Sequence, residues 1–129
     1  HLNCGTDCPI GGALFDGRSS GPLGHLVCHC LLIESDRGLI LVDTGYGLKD
    51  VDHPHDGADP RITRFMRSLL NIQLREQETA IRQIEALGYS AADVRHIVLT
   101  HLDFDHAGGL EDFPNARVHL MEEEWSAAT

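Results

Sequence analysis

Apolar and polar positions alternate between runs and gaps in a way that predicts layered strands and helices. His25-Leu26-Val27-Cys28-His29-Cys30-Leu31-Leu32-Ile33 and Leu39-Ile40-Leu41-Val42 are nearly continuous apolar runs bracketing Ser35-Asp36-Arg37-Gly38. Two such runs around four turn formers predict a β-hairpin. Because the runs are continuous rather than alternating, the sheet is expected to be covered on both faces. Residues 1–24 are rich in Gly, Pro, Ser and Asp, which predicts a loop-dominated entry with one short strand around Ala13–Phe15.

Downstream the period changes. Ile62, Phe65, Met66, Leu69 and Leu70 recur at helical spacing within residues 61–70, so a helix with one apolar face is expected. That stripe reads as core, or alternatively as lining for an acyl chain. Thr79 can cap a helix carrying Ile81, Ile84 and Leu87, with Gly88 as its stop. Ser90 caps a short turn through Val94, and residues 95–100 form a strand. Gly108-Gly109-Leu110 begins a helical turn ending at Pro114-Asn115, residues 117–121 form a strand, and residues 122–128 begin a helix. This strand–helix–strand rhythm implies α/β layer packing.

Composition narrows the class without naming a substrate. At 129 residues, 42% apolar and 23% charged, the chain suits one globular domain, residues 1–129. A formal charge of −10 argues against nucleic acid and anionic membranes as partners. No apolar run approaches the roughly 18 residues of a membrane span. Cys4-x3-Cys8 and Cys28-x-Cys30 fit zinc knuckles poorly. Cys28 and Cys30 share a strand face and read as buried free thiols, with a disulfide or an accessory metal site as the alternative. Reduced thiols and the lack of a signal-like start lead us to expect a cytoplasmic protein.

One stretch carries the chemistry. Ile97-Val98-Leu99 leads through Thr100 into His101, Asp103, Asp105 and His106, four potential ligands within six residues, and Gly108-Gly109 closes the segment. Such spacing wastes buried volume and sets like charges together unless a cation satisfies them, so a metal site is predicted. His25 and His29, set in an apolar strand, read instead as hydrogen-bonded core or edge residues. The polar loop of residues 46–60, with His53 and His55, could bind metal but reads as a solvated loop. Asp43, at the end of its strand, is either a turn cap or a partner of the metal loop.

The segment from His101 to Gly109 resembles the H-x-H-x-D-H signature of the metallo-β-lactamase superfamily. Leu39-Ile40-Leu41-Val42-Asp43-Thr44-Gly45 resembles that superfamily's "LVDTG" strand and turn. The resemblance runs roughly from Leu26 to Trp125, and Phe104 with the Ala-Gly-Gly tail is most similar to the N-acyl-homoserine-lactone lactonase branch. It implies an αββα sandwich of about twice this length, of which the chain is the first half, truncated at both ends. It further implies two divalent ions, zinc first and manganese or iron otherwise. His101 and Asp103 would serve one ion and Asp105 and His106 the other. Asp105 would hold the nucleophilic water, and Asp43 would orient a ligand histidine through its second ring nitrogen.

The implied activity is hydrolysis of an ester or lactone by metal-activated water, as in quorum quenching. The alternatives are a thioesterase of the glyoxalase II type, or a non-catalytic metal-binding or interaction fragment. Two departures weigh on the lactone reading. Asp103 stands where the signature usually has His, which shifts donor hardness. The later ligands of the signature also lack counterparts, because His119 follows too closely. A missing C-terminal half or a complementing chain is therefore expected as a partner, beside a small-molecule substrate.

Overall fold

Leucine-rich and β-branched runs form the spine of a six-stranded mixed sheet in the computed structural model, which describes residues 1–53 and 63–128. The elements are β1 (Leu2–Asp7), α1 (Ala13–Asp16), β2 (Leu26–Ser35), β3 (Gly38–Val42), α2 (Leu48–Asp52), α3 (Arg64–Leu70), β4 (Ile72–Gln73), α4 (Ala80–Ala86), β5 (Val94–Val98), α5 (Phe104–Ala107), β6 (Arg117–His119) and α6 (Glu122–Ala128). The strand order is β4-β1-β2-β3-β5-β6.

The expected hairpin is present, with β2 antiparallel to β3 from Leu31↔Val42 to Ser35↔Gly38. Beyond it the direction changes: β5 runs parallel to β3, and β6 parallel to β5. A parallel neighbour requires a crossover connection, and the stretch containing α4 supplies it.

α4 covers one face of the sheet. Its Ala80 and Ile84 are buried in one cluster with Leu39, Leu41, Val94, Ile97 and Leu99, and with Leu2, Cys4, Cys30, Ala107 and Phe113. Thr79 occupies the cap position of this helix, but its hydroxyl donates backwards to the Glu76 carbonyl at 2.7 Å. Gly88 follows the helix at φ +90°. Ser90 caps the next turn as expected, its backbone N–H and hydroxyl both donating to Asp93. All four cysteines are free thiols, and Cys28 and Cys30 are buried on one strand face.

Four expectations are corrected. Residues 13–15 form a helical turn rather than a strand, because the Gly12 and Ala13 carbonyls accept local bonds. The Asp16 carboxylate then ties the following loop by accepting the Arg18, Ser19 and His25 N–H groups. The entry also contains β1, whose Cys-Gly-Thr sequence carries little strand signal and which is stabilised by pairing with β2 across a bulge between Asn3 and Thr6. The second sheet face is open, since Val27, Ile33 and Val98 are each 40% or more exposed. In α3 the apolar stripe is largely at the surface, with Phe65 75% exposed, while Leu70 packs beside Ile72. Ile62, His55 and the rest of residues 54–62 lie outside the described residues. Among those described, no helix is long and apolar enough to cross a membrane.

Candidate metal centre

Parallel β3 and β5 end side by side, Val42 opposite Val98, so the residues after each strand meet at one edge of the sheet, where open α/β folds place their sites. Asp43 N–H donates to the Val98 carbonyl at 2.9 Å. Its backbone then turns left-handed at φ 57°, a conformation that Asp tolerates better than most residues. The turn aims its carboxylate at the chain leaving β5. Oδ1 accepts the Thr100 N–H at 2.8 Å, and Oδ2 accepts the Thr100 hydroxyl at 2.8 Å. Oδ2 also lies 2.9 Å from His106 Nδ1.

Thr44, fully buried, clamps the far end of the loop. Its N–H and hydroxyl both donate to the His106 carbonyl, at 2.7 and 2.9 Å. The same hydroxyl accepts the Gly109 N–H at 3.0 Å. Two glycines permit this contact. Gly45 has φ +66°, and a Cβ there would stand 2.1 Å from the Cys4 carbonyl oxygen; a Cβ on Gly108 would stand 2.7 Å from Asp50 Oδ2. Between the anchors, the Asp103 carbonyl accepts the His106 and Ala107 N–H groups, opening the short helix α5.

Both imidazoles are oriented by hydrogen bonds at Nδ1. A carboxylate only accepts, so His106 Nδ1 must donate to Asp43, leaving the Nε2 lone pair free. The Thr100 hydroxyl has one proton and gives it to Asp43. Toward His101 Nδ1, 2.9 Å away, it therefore accepts, and His101 Nε2 is free as well. The two rings are 3.9 Å apart between centroids. His101 Nε2 lies 3.4 Å from Asp103 Oδ2, and His106 Nε2 lies 3.5 Å from Asp105 Oδ2.

Ligand atoms of His101, Asp105 and His106 all fall within 4.8 Å of one another. Two imidazoles and a carboxylate that converge in this way suit a divalent cation. Asp103 sits outside this group; its side chain is 74% exposed and its Oδ2 lies 3.4 Å from His101 Nε2. His29 pairs with His1 at 2.9 Å on the open face, and His25 is exposed. Neither belongs to a group of three potential ligands among the described residues.

Sequence reasoning missed the roles of Thr44 and Thr100 in the loop, and the buried Asp7–Tyr46 pair beside it. Thr44 lies within the quoted strand-and-turn motif, which was its one signal. Asp7 and Tyr46 gave none, being 39 residues apart; the Tyr46 hydroxyl donates to both Asp7 carboxylate oxygens, at 3.0 and 3.1 Å. Burial pushes Asp7 up to about 6, against the pull of the Tyr46 hydroxyl and with the charges of Asp105 and Glu78 adding to it. Burial, with the Asp7 charge second, likewise raises Tyr46 and the Cys28 thiol. The Asp105 charge contributes to all three shifts, so this buried cluster lies within its field.

Comparison with known proteins agrees with the architecture. The family profile described as "Metallo-beta-lactamase superfamily" matches residues 23–120. A "Probable metallo-hydrolase" of Mycobacterium tuberculosis is 48% identical over 124 residues, covering 96% of this chain and 34% of that protein. An N-acyl homoserine lactonase of Bacillus thuringiensis is 30% identical over 128 residues, covering 93% of this chain and 49% of that protein. A solved N-acyl homoserine lactone hydrolase, with N-hexanoyl-L-homoserine bound at its catalytic metal centre, superposes with a TM-score of 0.73 at 27% identity. It covers 98% of this chain and 49% of its own. The chain thus spans half or less of the length of these relatives. With the profile covering most of its residues, the chain belongs to the metallo-β-lactamase superfamily.

Proposed function

We propose that the chain carries the metal loop of a hydrolase that opens an ester or lactone, with an N-acyl homoserine lactone as the leading substrate class. The observation that carries this reading is the convergence of His101, Asp105 and His106 within 4.8 Å, with both Nε2 atoms left free by Thr100 and Asp43. His101 and Asp103 would hold one divalent ion, and Asp105 and His106 a second. When bound, such ions would supply an acidified water and Lewis-acid polarisation of the substrate carbonyl.

The protein's own residues do the rest. Asp43 keeps the His106 proton on Nδ1, so the ring cannot rotate away without losing a bond to a buried carboxylate. With the ions bound, Asp105 would accept a hydrogen bond from the water and so orient it. The carboxylate at Asp103 adds a hard oxygen donor, which favours manganese or iron relative to a histidine at that place. Zinc remains the first expectation from the imidazole donors. Whatever lies outside this chain in its longer relatives would complete the coordination, whether as a C-terminal half or as a complementing chain.

The test is metal content and turnover of the purified full-length protein. Hydrolysis of N-acyl homoserine lactones that disappears in His101→Ala supports the reading. Inertness toward lactones with turnover of acyl thioesters would move the protein to a thioesterase. Bound metal with no hydrolysis of either class would leave a metal-binding module.

A further inference from the structure

We propose that Tyr46, tethered at its hydroxyl by Asp7, is a positioning residue for the metal loop: it holds Phe104 and, through Phe104, the adjoining Asp105. This rests on the metal reading of His101, Asp105 and His106. Tyr46 is 2% exposed, and its ring stacks on Phe104 at 6.0 Å between centroids and 24° between planes. Gly5 passes close beside the same ring: its φ is +152°, and a Cβ there would stand 2.4 Å from Tyr46 Cδ2. Cys28 and Ile72 pack with the tyrosine, and partly buried Leu70 and Leu74 border them. Tyr46 is thus wedged among neighbours that bear on its ring, and its hydroxyl is fastened to Asp7.

Filling the space does not require this arrangement. A phenylalanine would occupy nearly the same volume and would spare β1 a buried carboxylate, which is costly to desolvate. What the hydroxyl adds is direction. A bond shared with both Asp7 oxygens fixes the plane of the tyrosine ring, and a stacked partner follows that plane. Phe104 opens α5, with Asp103 before it and Asp105 after it. Asp43 and Thr100 grip the loop through its histidines. Tyr46 grips it from the Phe104 side, and its own backbone is fixed by the Tyr46 N–H bond to the Cys4 carbonyl at 3.1 Å.

The experiment loads the full-length protein with cobalt(II) and compares wild type with Tyr46→Phe and Tyr46→Leu. It reads cobalt affinity, the visible d–d absorption band, and the Phe104 ring-proton resonances of the metal-free protein. Tyr46→Phe conserves packing, so folding is retained. We expect cobalt to bind ~tenfold more weakly with a changed band, and the Phe104 resonances to move or sharpen as the ring is freed. Tyr46→Leu should do more of each. A filler tyrosine would change melting temperature alone; unchanged affinity, band and ring resonances in both variants would overturn the proposal. Should wild type take up no cobalt, the metal reading fails and the proposed role in the metal loop falls with it. The ring resonances then show only whether Tyr46 holds Phe104.

Discussion

Asp43 Oδ2 lies 2.9 Å from Nδ1 of His106, a residue 63 positions further along the chain. The same carboxylate binds the backbone and hydroxyl of Thr100, so one buried side chain orients both imidazoles, one directly and one through a threonine. It joins the end of β3 to the segment after β5.

Asp43→Asn therefore tests the centre at its hinge. The amide must turn an N–H toward either Thr100 or His106, both of which are already donors. Metal affinity should fall about 10–100-fold, as read by competition with a chromogenic chelator. An affinity equal to wild type would remove Asp43 from the site.

Among the candidate ligands the expected ranking is uneven. Asp105→Ala should weaken metal binding more than Asp103→Ala does, because Asp105 belongs to the converging group and Asp103 is largely exposed. Equilibrium dialysis followed by elemental analysis measures both. Equal losses would place Asp103 on the same footing as Asp105.

Gly45→Ala is expected to destabilise the fold by more than about 2 kcal/mol. The new methyl would stand 2.1 Å from a backbone oxygen of β1, at φ +66°. Urea denaturation monitored by circular dichroism gives the value. A midpoint unchanged from wild type would mean that the turn can relax away from β1.

Asp7 gives a pH signature. Its carboxyl is raised by burial from 3.8 to about 6, so the folded state holds its proton more tightly than the unfolded chain does. The contribution of this group is fully present below about pH 4 and is lost as pH rises through about 6. Asp7→Asn, which stays neutral throughout, should be more stable than wild type at pH 7–8, by on the order of 1 kcal/mol. The difference should vanish near pH 4. Urea midpoints at pH 4, 6 and 8 would show it; a difference that grows toward low pH would contradict the assignment.

Much of this was legible in the residues themselves. The runs His25–Ile33 and Leu39–Val42 predict a hairpin around Ser-Asp-Arg-Gly, and next to the turn it forms, Leu31–Ser35 against Gly38–Val42. His101, Asp103, Asp105 and His106 read as candidate ligands because polar groups so closely spaced have little other use, and of these the structure gathers His101, Asp105 and His106; Gly88 and Ser90 marked their turns by backbone freedom and side-chain chemistry. Local physics fixes such features, and local physics is written in consecutive residues. Where the outcome depended on distant partners, the reading ran out. Leu2–Asp7 is a strand because β2 offers it an edge, although its own Gly and Cys carry little strand propensity. Residues 13–15 coil into a turn because Gly12 bonds locally, and Phe65 faces solvent although its spacing suited a core stripe. The union of Asp43 with His106, the clamp of Thr44 on Gly109 and the Asp7–Tyr46–Phe104 stack all join residues at least 39 positions apart. Their side chains carry no mark of one another; only the parallel alignment of β3 with β5 and the pairing of β1 with β2 bring them within bonding distance.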